Sequence, residues 1–244
     1  MRDWIKPDWP APEKVRAVIT TRSGGVSRAP FNSLNLAEHV GDDPKAVAAN
    51  RVLLRQALEL ETEPLWLEQV HGCGVADGDV GAPGCRADAI TATRPGRVCA
   101  VLTADCLPLL FCSRSGSRVA AVHAGWRGLA GGVIEAALAR FEEPAEELLA
   151  WLGPAIGPQA FEVGAEVREA FLAREPTDTG VFVSDRPGHW QADLYALARN
   201  RLQRAGVGFV GGGDSCTVSE PERFFSYRRD GMTGRMASLI WIDR

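Results

Sequence analysis

Val119-Ala120-Ala121-Val122-His123-Ala124-Gly125-Trp126-Arg127-Gly128 sets the pattern for the whole chain. A run of valine and alanine stops on a histidine. Such a run is a buried strand by length and composition. The two small residues, the arginine and the glycine that follow mark a turn into a helix, which the spacing opens over Gly128 to Gly132. A strand therefore delivers one imidazole to a turn. Working outward, two other stretches have a matching form. One is Gln69-Val70-His71-Gly72, at the end of an expected short strand over 65–70. The other is Thr103-Ala104-Asp105-Cys106, between the apolar strands Val98 to Thr103 and Leu107 to Cys112.

The rest of the chain alternates short strands and helices. Lys14 to Thr21 is a strand by its β-branched residues, closed by Arg22-Ser23-Gly24-Gly25. Asp43-Pro44 reads as an N-cap and first helical residue, and apolar residues at helical spacing continue to Leu60. Gly74 to Arg86 reads as an exposed loop, with an extended piece over Ala87 to Thr91. Helices are expected over Gly132 to Phe141, Gly164 to Ala173 and Asp193 to Ala205. Further strands are expected over Arg118 to His123, Leu148 to Leu152, Val181 to Val183, Val207 to Val210 and Ala237 to Ile242, with extended pieces at Thr217-Val218 and Phe224 to Tyr227. The order has no strict βαβ repeat, and short connections favour antiparallel pairing. The class is α+β: mixed β-sheets with helices packed outside. No linker or repeat divides the chain, so residues 1–244 are expected to form one domain.

With 244 residues, 45% hydrophobic and 24% charged, the chain can bury a sizeable core. A net charge of -4 gives no surplus for nucleic acid. The stretch from Met1 to Pro10 lacks the apolar region of a secretory leader, and no window is long and apolar enough for a membrane span. The six cysteines form no C-x-x-C pair, which argues against zinc-ribbon and thioredoxin-like motifs. A cytoplasmic protein with reduced thiols is expected. Oligomeric state is not legible.

His71, Cys106 and His123 are separated by 35 and 17 residues, so they would meet only through the fold. Two imidazoles and a thiolate leave a tetrahedral metal with one open position, the pattern of a catalytic zinc. A different chemistry uses the same residues: Cys106 as a nucleophile, paired with His123 and oriented by an acid such as Asp105. Ordinary loop and core roles for all three are equally compatible with the spacing. Asp88 can orient a ligand or cap a turn. Arg22, Arg127, Arg228, Arg229 and Arg235 stand in turn-like segments where a guanidinium can fork onto phosphate, although surface arginines are commoner. Asn32, Asn35 and Gln69 offer hydrogen bonds to a ligand, or to the backbone in turns. Trp126 can stack on a planar base or pack beneath its loop.

Several blocks occur in order: Ala17 to Ser27, Ser33-Leu34-Asn35-Leu36, Gln69 to Gly72, Ala87-Asp88-Ala89, Thr103 to Pro108, His123 to Gly128, Gly153 to Gly157, Cys216-Thr217, Phe225 to Asp230 and Thr233-Gly234-Arg235. In combination they resemble the bacterial YfiH/YlmD family over nearly the whole chain. That family is described both as a polyphenol oxidase or laccase and as a purine nucleoside phosphorylase. The resemblance implies a sandwich-like α+β core flanked by helices, a CNF/YfiH-like fold likened to a toxin deamidase. It implies metal ligation by His71, Cys106 and His123, by Zn2+ with Cu2+ as a second choice.

The implied activity is phosphorolysis of adenosine, inosine or methylthioadenosine to base and ribose 1-phosphate, with adenosine deamination as a second activity. Cys106 and Asp105 are then the catalytic candidates. Arg22, Asn35, Gln69, Arg127 and Arg228 are the candidates for binding nucleoside and phosphate. The H-x-E…P-C-x-x-C signature of nucleobase deaminases is absent. A multicopper laccase needs more imidazoles than His39 and His189 supply beyond the trio. The resemblance also connects to a Cys–His amidase that edits peptidoglycan precursors.

Overall fold

The computed structural model describes residues 3–244; Met1 and Arg2, the start of the stretch tested for a leader, lie outside the described residues. The core is built on Cys99–Thr103, Leu107–Ser113 and Val119–Ala124. In chain order the strands are β1 (Val15–Ile19), β2 (Val75–Asp77), β3 (Ala89–Ala92), β4 (Cys99–Thr103), β5 (Leu107–Ser113), β6 (Val119–Ala124) and β7 (Leu148–Leu152). There follow β8 (Glu162–Gly164), β9 (Phe182–Arg186), β10 (His189–Ala192), β11 (Phe209–Gly212) and β12 (Met236–Ile242). The helices are α1 (Pro44–Ala57), α2 (Trp126–Gly131), α3 (Val133–Leu138), α4 (Ala165–Leu172), α5 (Leu194–Arg204) and α6 (Tyr227–Asp230).

A three-stranded sheet, β1-β12-β4, packs on a six-stranded sheet, β11-β7-β5-β6-β3-β2. The period-2 alternation of side chains explains the layering. In β4, Cys99 and Val101 point between the sheets, while Ala100 and Leu102 point to α1. In β5, Leu110 and Cys112 point between the sheets, and Leu107, Leu109 and Phe111 point to the other face. That second face is covered by Leu129, Ile134, Val167, Phe171 and Leu197 from four helices. The fold is thus the expected α+β sandwich flanked by helices.

Local chemistry sets several boundaries. The Asp43 side chain accepts from Lys45 N at 2.9 Å and Pro44 opens α1, as the sequence predicts. The helix stops at Ala57, earlier than Leu60, and the chain turns through Glu59 at φ 54°. The helix expected over Gly132 to Phe141 is present but shorter, as α3, and a separate helix precedes it. α2 already starts at Trp126, and Gly132 at φ 101° separates it from α3. A left-handed residue of this kind breaks the helical ladder.

Other differences come from long-range pairing. Within the expected exposed loop, Val75–Asp77 forms β2, parallel to β3. The expected strand over 65–70 makes only isolated bridges, Leu65 with Cys99 and Glu68 with Arg86. Instead of a backbone ladder, the Gln69 amide pairs with Leu102, accepting from its N at 2.7 Å and donating to its O at 2.8 Å. Phe224 and Phe225 are buried with Ala104 and Met236, not in a strand. Tyr227–Asp230 is a helix capped by Ser226, whose Oγ accepts from Arg229 N at 3.2 Å. A third sheet, β8-β10-β9, stands apart from the sandwich in hydrogen bonding. Most neighbours are antiparallel, but β7 with β11 and β2 with β3 are parallel. No helix of the described residues is long and apolar enough to cross a membrane.

Candidate metal centre

β4 belongs to one sheet of the sandwich and β5 to the other, so the turn between them crosses the gap. Cys106 stands on that turn. His123 shares the alternation of Val119 and Ala121, whose side chains face the inter-sheet core. It therefore points into the same gap, close to the turn. His71 reaches the place from the segment before β2, in the left-handed region at φ 58°. The donor atoms of His71, Cys106 and His123 all lie within 4.8 Å of one another. Cys106 Sγ is 3.9 Å from His71 Nε2, and the two imidazoles meet edge to face at 80°.

Asp88 ties the group together. Its carboxylate is fully buried and lies 2.8 Å from His123 Nδ1. It accepts from His71 N at 2.8 Å, Gly72 N at 2.6 Å and, more weakly, Val70 N at 3.3 Å. Its backbone oxygen accepts from His123 N at 2.7 Å. One carboxylate thus caps the His71 turn and orients His123, both alternatives open from sequence. Burial alone would raise the Asp88 carboxyl; the hydrogen bonds from His123 and the backbone N–H groups outweigh it and hold it below the usual range. With Nδ1 facing Asp88, His123 keeps Nε2 for a ligand, the carboxylate–histidine arrangement of metal sites.

Burial would raise the Cys106 thiol, but the charge and hydrogen bonding of His123, helped by His71, bring it down to about 6. Burial would lower His123, but the Cys106 thiolate and Asp88 lift it to about 9. These are two sides of one coupled pair, a thiolate beside an imidazolium. A divalent ion takes the place of the imidazolium proton in such a pair. Tetrahedral zinc with N and S donors places them roughly 3.4–3.6 Å apart. Donors within 4.8 Å of one another close on that spacing with small side-chain movements. The residues can hold a metal.

Small residues keep the centre open. A Cβ on Gly125 would lie 2.8 Å from His71 Cδ2 and 3.1 Å from Cys106 Sγ. One on Gly128 would lie 2.8 Å from Gly72 O, so α2 packs on the His71 turn only without a side chain there.

The trio borders a cavity of about 450 Å³. Trp126, Ile156, Phe161, Leu194 and Tyr227 give it apolar walls; Gln69, Asp105, His39, Arg228 and Arg235 give it polar ones. Among the predicted site residues, His71, Cys106, His123, Asp105, Gln69 and Arg228 meet here. Asp105 sits at φ 85° with its carboxylate engaged by Thr217 Oγ1 at 2.5 Å and Arg228 N at 2.6 Å. It does not orient His123; Asp88 does.

Three other predicted residues do not line this cavity. Arg22 donates to Asn32 O at 3.1 Å and Pro221 O at 2.9 Å, over the Phe225 ring. Asn35 is fully buried and donates to Ala37 O and Asp42, each at 3.0 Å. Arg127 is exposed and stacks on Trp126 at 4.3 Å. His39 and Tyr227 entered no sequence-based binding set, and Arg235 was one of five turn arginines. A histidine within Leu36 to Asp42 carries no local signal that it faces a site 32 residues onward at His71.

Comparison with known proteins places this geometry in context. Residues 16–243 match the family model described as multi-copper polyphenol oxidoreductase laccase. A protein of Pseudomonas aeruginosa named as a purine nucleoside phosphorylase is 57% identical over 244 residues, covering all of both chains. The Escherichia coli protein named purine nucleoside phosphorylase YfiH is 54% identical, covering 99% of this chain and 100% of its own. Among solved structures, a Neisseria meningitidis protein superposes with TM-score 0.96 at 51% identity, covering 100% of each chain. YlmD from Geobacillus stearothermophilus superposes with TM-score 0.93 at 33% identity, covering 100% of this chain and 97% of its own.

Proposed function

This chain belongs to the laccase-domain family of YfiH and YlmD, and on that premise we propose that it is a zinc-dependent purine nucleoside phosphorylase. Its substrates are adenosine, inosine or methylthioadenosine together with phosphate. One observation carries the proposal: a single cavity of about 450 Å³ joins a His–Cys–His group, flat apolar walls and two arginines. A purine ring suits the walls formed by Trp126, Phe161 and Tyr227. The relatives named as purine nucleoside phosphorylases support the same assignment.

In phosphorolysis the bond from the sugar C1′ to the base nitrogen breaks, and its electron pair leaves with the base. A phosphate oxygen bonds to C1′, and the base takes up a proton. His71, Cys106 and His123 would hold the zinc, which would supply Lewis acidity to the leaving base. Asp88 fixes the His123 ring, and Gly125 leaves room for His71 and Cys106. Arg228 and Arg235 line the same space. Adenosine deamination is a second activity of the same site, and the reaction belongs to the cytoplasm.

Copper can take the same donors. The residues do not suit a multicopper oxidase: His39 lines the cavity, and His189 pairs with Glu162 at 3.3 Å on the small sheet. One observation favours a second function. Without metal, Asp88, His123 and Cys106 form an acid–imidazole–thiol series like that of Cys–His amidases. Metal content separates the two, since stoichiometric zinc in protein purified without added metal supports the phosphorylase. Amide turnover by metal-free protein would sink it. The direct test incubates adenosine with and without phosphate. Phosphate-dependent release of base is expected, and its absence rules the phosphorylase out.

A further inference from the structure

We infer that Arg235, with His39 beside it, is the oxyanion-binding element of the cavity and holds the phosphate group that reacts there. The inference rests on the phosphorylase function above but is argued from the hydrogen bonds that each arginine already makes. The Arg228 guanidinium donates from both ends, Nη1 to Ala160 O and Nη2 to Glu162 O, each at 3.2 Å. It is tied across β8 and the turn before it. Arg235 spends only Nη1, on Thr233 O at 2.9 Å and Gly234 O at 3.0 Å. Its Nε and Nη2 meet no protein acceptor among the described residues. That edge is the one with which a guanidinium takes two oxygens of a phosphate side by side.

Arg235 also makes no salt bridge among the described residues, whereas Arg51, Arg201 and Arg204 each have one. Cys106, Asp105 and Tyr227 act on its charge only from a greater distance. Burial makes its charge costlier, the first cause that draws its pKa down. His39 is likewise lowered, by burial first and then by the charges of Arg235 and Arg51. Glu38 opposes that effect but is engaged by Arg51 at 2.9 Å. The Arg235 cation keeps His39 toward its neutral form, and an anion bound beside Arg235 would stabilise both the guanidinium and a protonated His39.

The side chain is built in place. Arg235 N donates to Asn35 Oδ1 at 3.0 Å, and the guanidinium lies over the Tyr227 ring at 5.9 Å. A Cβ on Gly234 would strike Phe225 at 2.7 Å and Asn35 at 2.9 Å, so the chain approaches these groups closely. Buried Asn35 therefore serves the site through the backbone of Arg235.

The experiment titrates inorganic phosphate into the zinc-loaded full chain by calorimetry, with Arg235→Gln, Arg235→Lys and Arg228→Gln beside the parent. Zinc content and thermal melting are read on each to establish folding. Arg235→Gln is expected to weaken phosphate binding about ten- to a hundredfold, the loss of charge-assisted hydrogen bonds. Arg235→Lys should recover only part, because an ammonium lacks the fork. Arg228→Gln should change it less than Arg235→Gln. A second titration uses adenosine 5′-monophosphate. Loss of that ligand alone in Arg235→Gln assigns the same oxyanion element to a phosphorylated nucleoside.

Unchanged binding of both probes in folded Arg235→Gln, or no binding of either by the parent, overturns the inference. Base release at an unchanged KM for phosphate in Arg235→Gln also overturns it and leaves the phosphorylase standing. Phosphate binding lost in that variant, with no base release by the parent, does the reverse.

Discussion

Asp88 and His123 are joined twice: the carboxylate meets the imidazole Nδ1 at 2.8 Å, and the Asp88 carbonyl accepts the His123 backbone N–H at 2.7 Å. The ring is therefore held by the same residue that holds its strand, and its remaining nitrogen has one direction left. Replacing Asp88 by Asn keeps the shape but removes the negative charge. Metal affinity should fall about 10–100-fold, the usual cost of losing such a partner. Competition against a chromophoric chelator measures it, and affinity equal to the parent would show that His123 orients itself.

His71→Ala, Cys106→Ala and His123→Ala should each lose stoichiometric metal and turnover, because two remaining donors fall short of the three protein ligands of an open zinc site. Metal analysis after dialysis reads the result. A metal-loaded, active Cys106→Ala protein would contradict thiolate ligation.

Gly125→Ala leaves every donor in place and adds one methyl group. That methyl would sit 2.8 Å from His71 Cδ2 and 3.1 Å from Cys106 Sγ. At φ −66° the backbone accepts alanine, so the effect isolates crowding from strain. Metal affinity is expected to fall at least about tenfold, with a stability loss of about 1–3 kcal/mol from the crowding. Retention of full affinity would mean that the donors shift freely.

In metal-free protein, Cys106 should be the thiol that alkylates fastest at neutral pH. Its thiolate persists down to about pH 6, so the rate should hold above that value and fall below it. Burial pushes Cys112 up to about 12 and Cys99 higher still, so both should stay unlabelled until unfolding. Mass spectrometry of peptides at several pH values checks the order, and zinc should protect Cys106.

Asp79 gives a stability test away from the centre. Burial raises its carboxyl, but hydrogen bonds from Thr93 Oγ1 at 2.6 Å and from the Thr93 and Arg94 N–H groups outweigh this and hold it below 3.8. A depressed carboxyl stabilises the folded state above its ordinary pKa, and the benefit is lost as pH falls through the folded value. Asp79→Asn should therefore cost about 1 kcal/mol at pH 7, allowing for solvent screening at a part-exposed site. The difference should shrink as pH falls from 3.8 and vanish once it is below the lower, folded value. Urea unfolding at a series of pH values reads it, and a gap that persists in acid would assign the effect to packing.

Alternation and capping are local signals, and they were legible. β5 and β6 follow from their apolar runs, and Asp43-Pro44 marks the start of α1. A histidine or cysteine closing such a run points to chemistry, and His71, Cys106 and His123 do converge. What they converge with was decided by contacts far apart in the chain. Asp88 stands 35 residues from His123, and Arg228 N reaches Asp105 across 123. The sequence offers Asp105 as the neighbouring acid, but the left-handed turn at that residue sends its carboxylate to Thr217 and Arg228. Arg22, Arg127 and Arg235 stand in similar turns; only the packing of Asn35, Phe225 and Tyr227 around Arg235 brings that one to the cavity. Residue type and spacing determine which groups can do chemistry, because they act over a few bonds. Burial and hydrogen-bond competition decide which groups meet, because they depend on what the whole chain places beside each one.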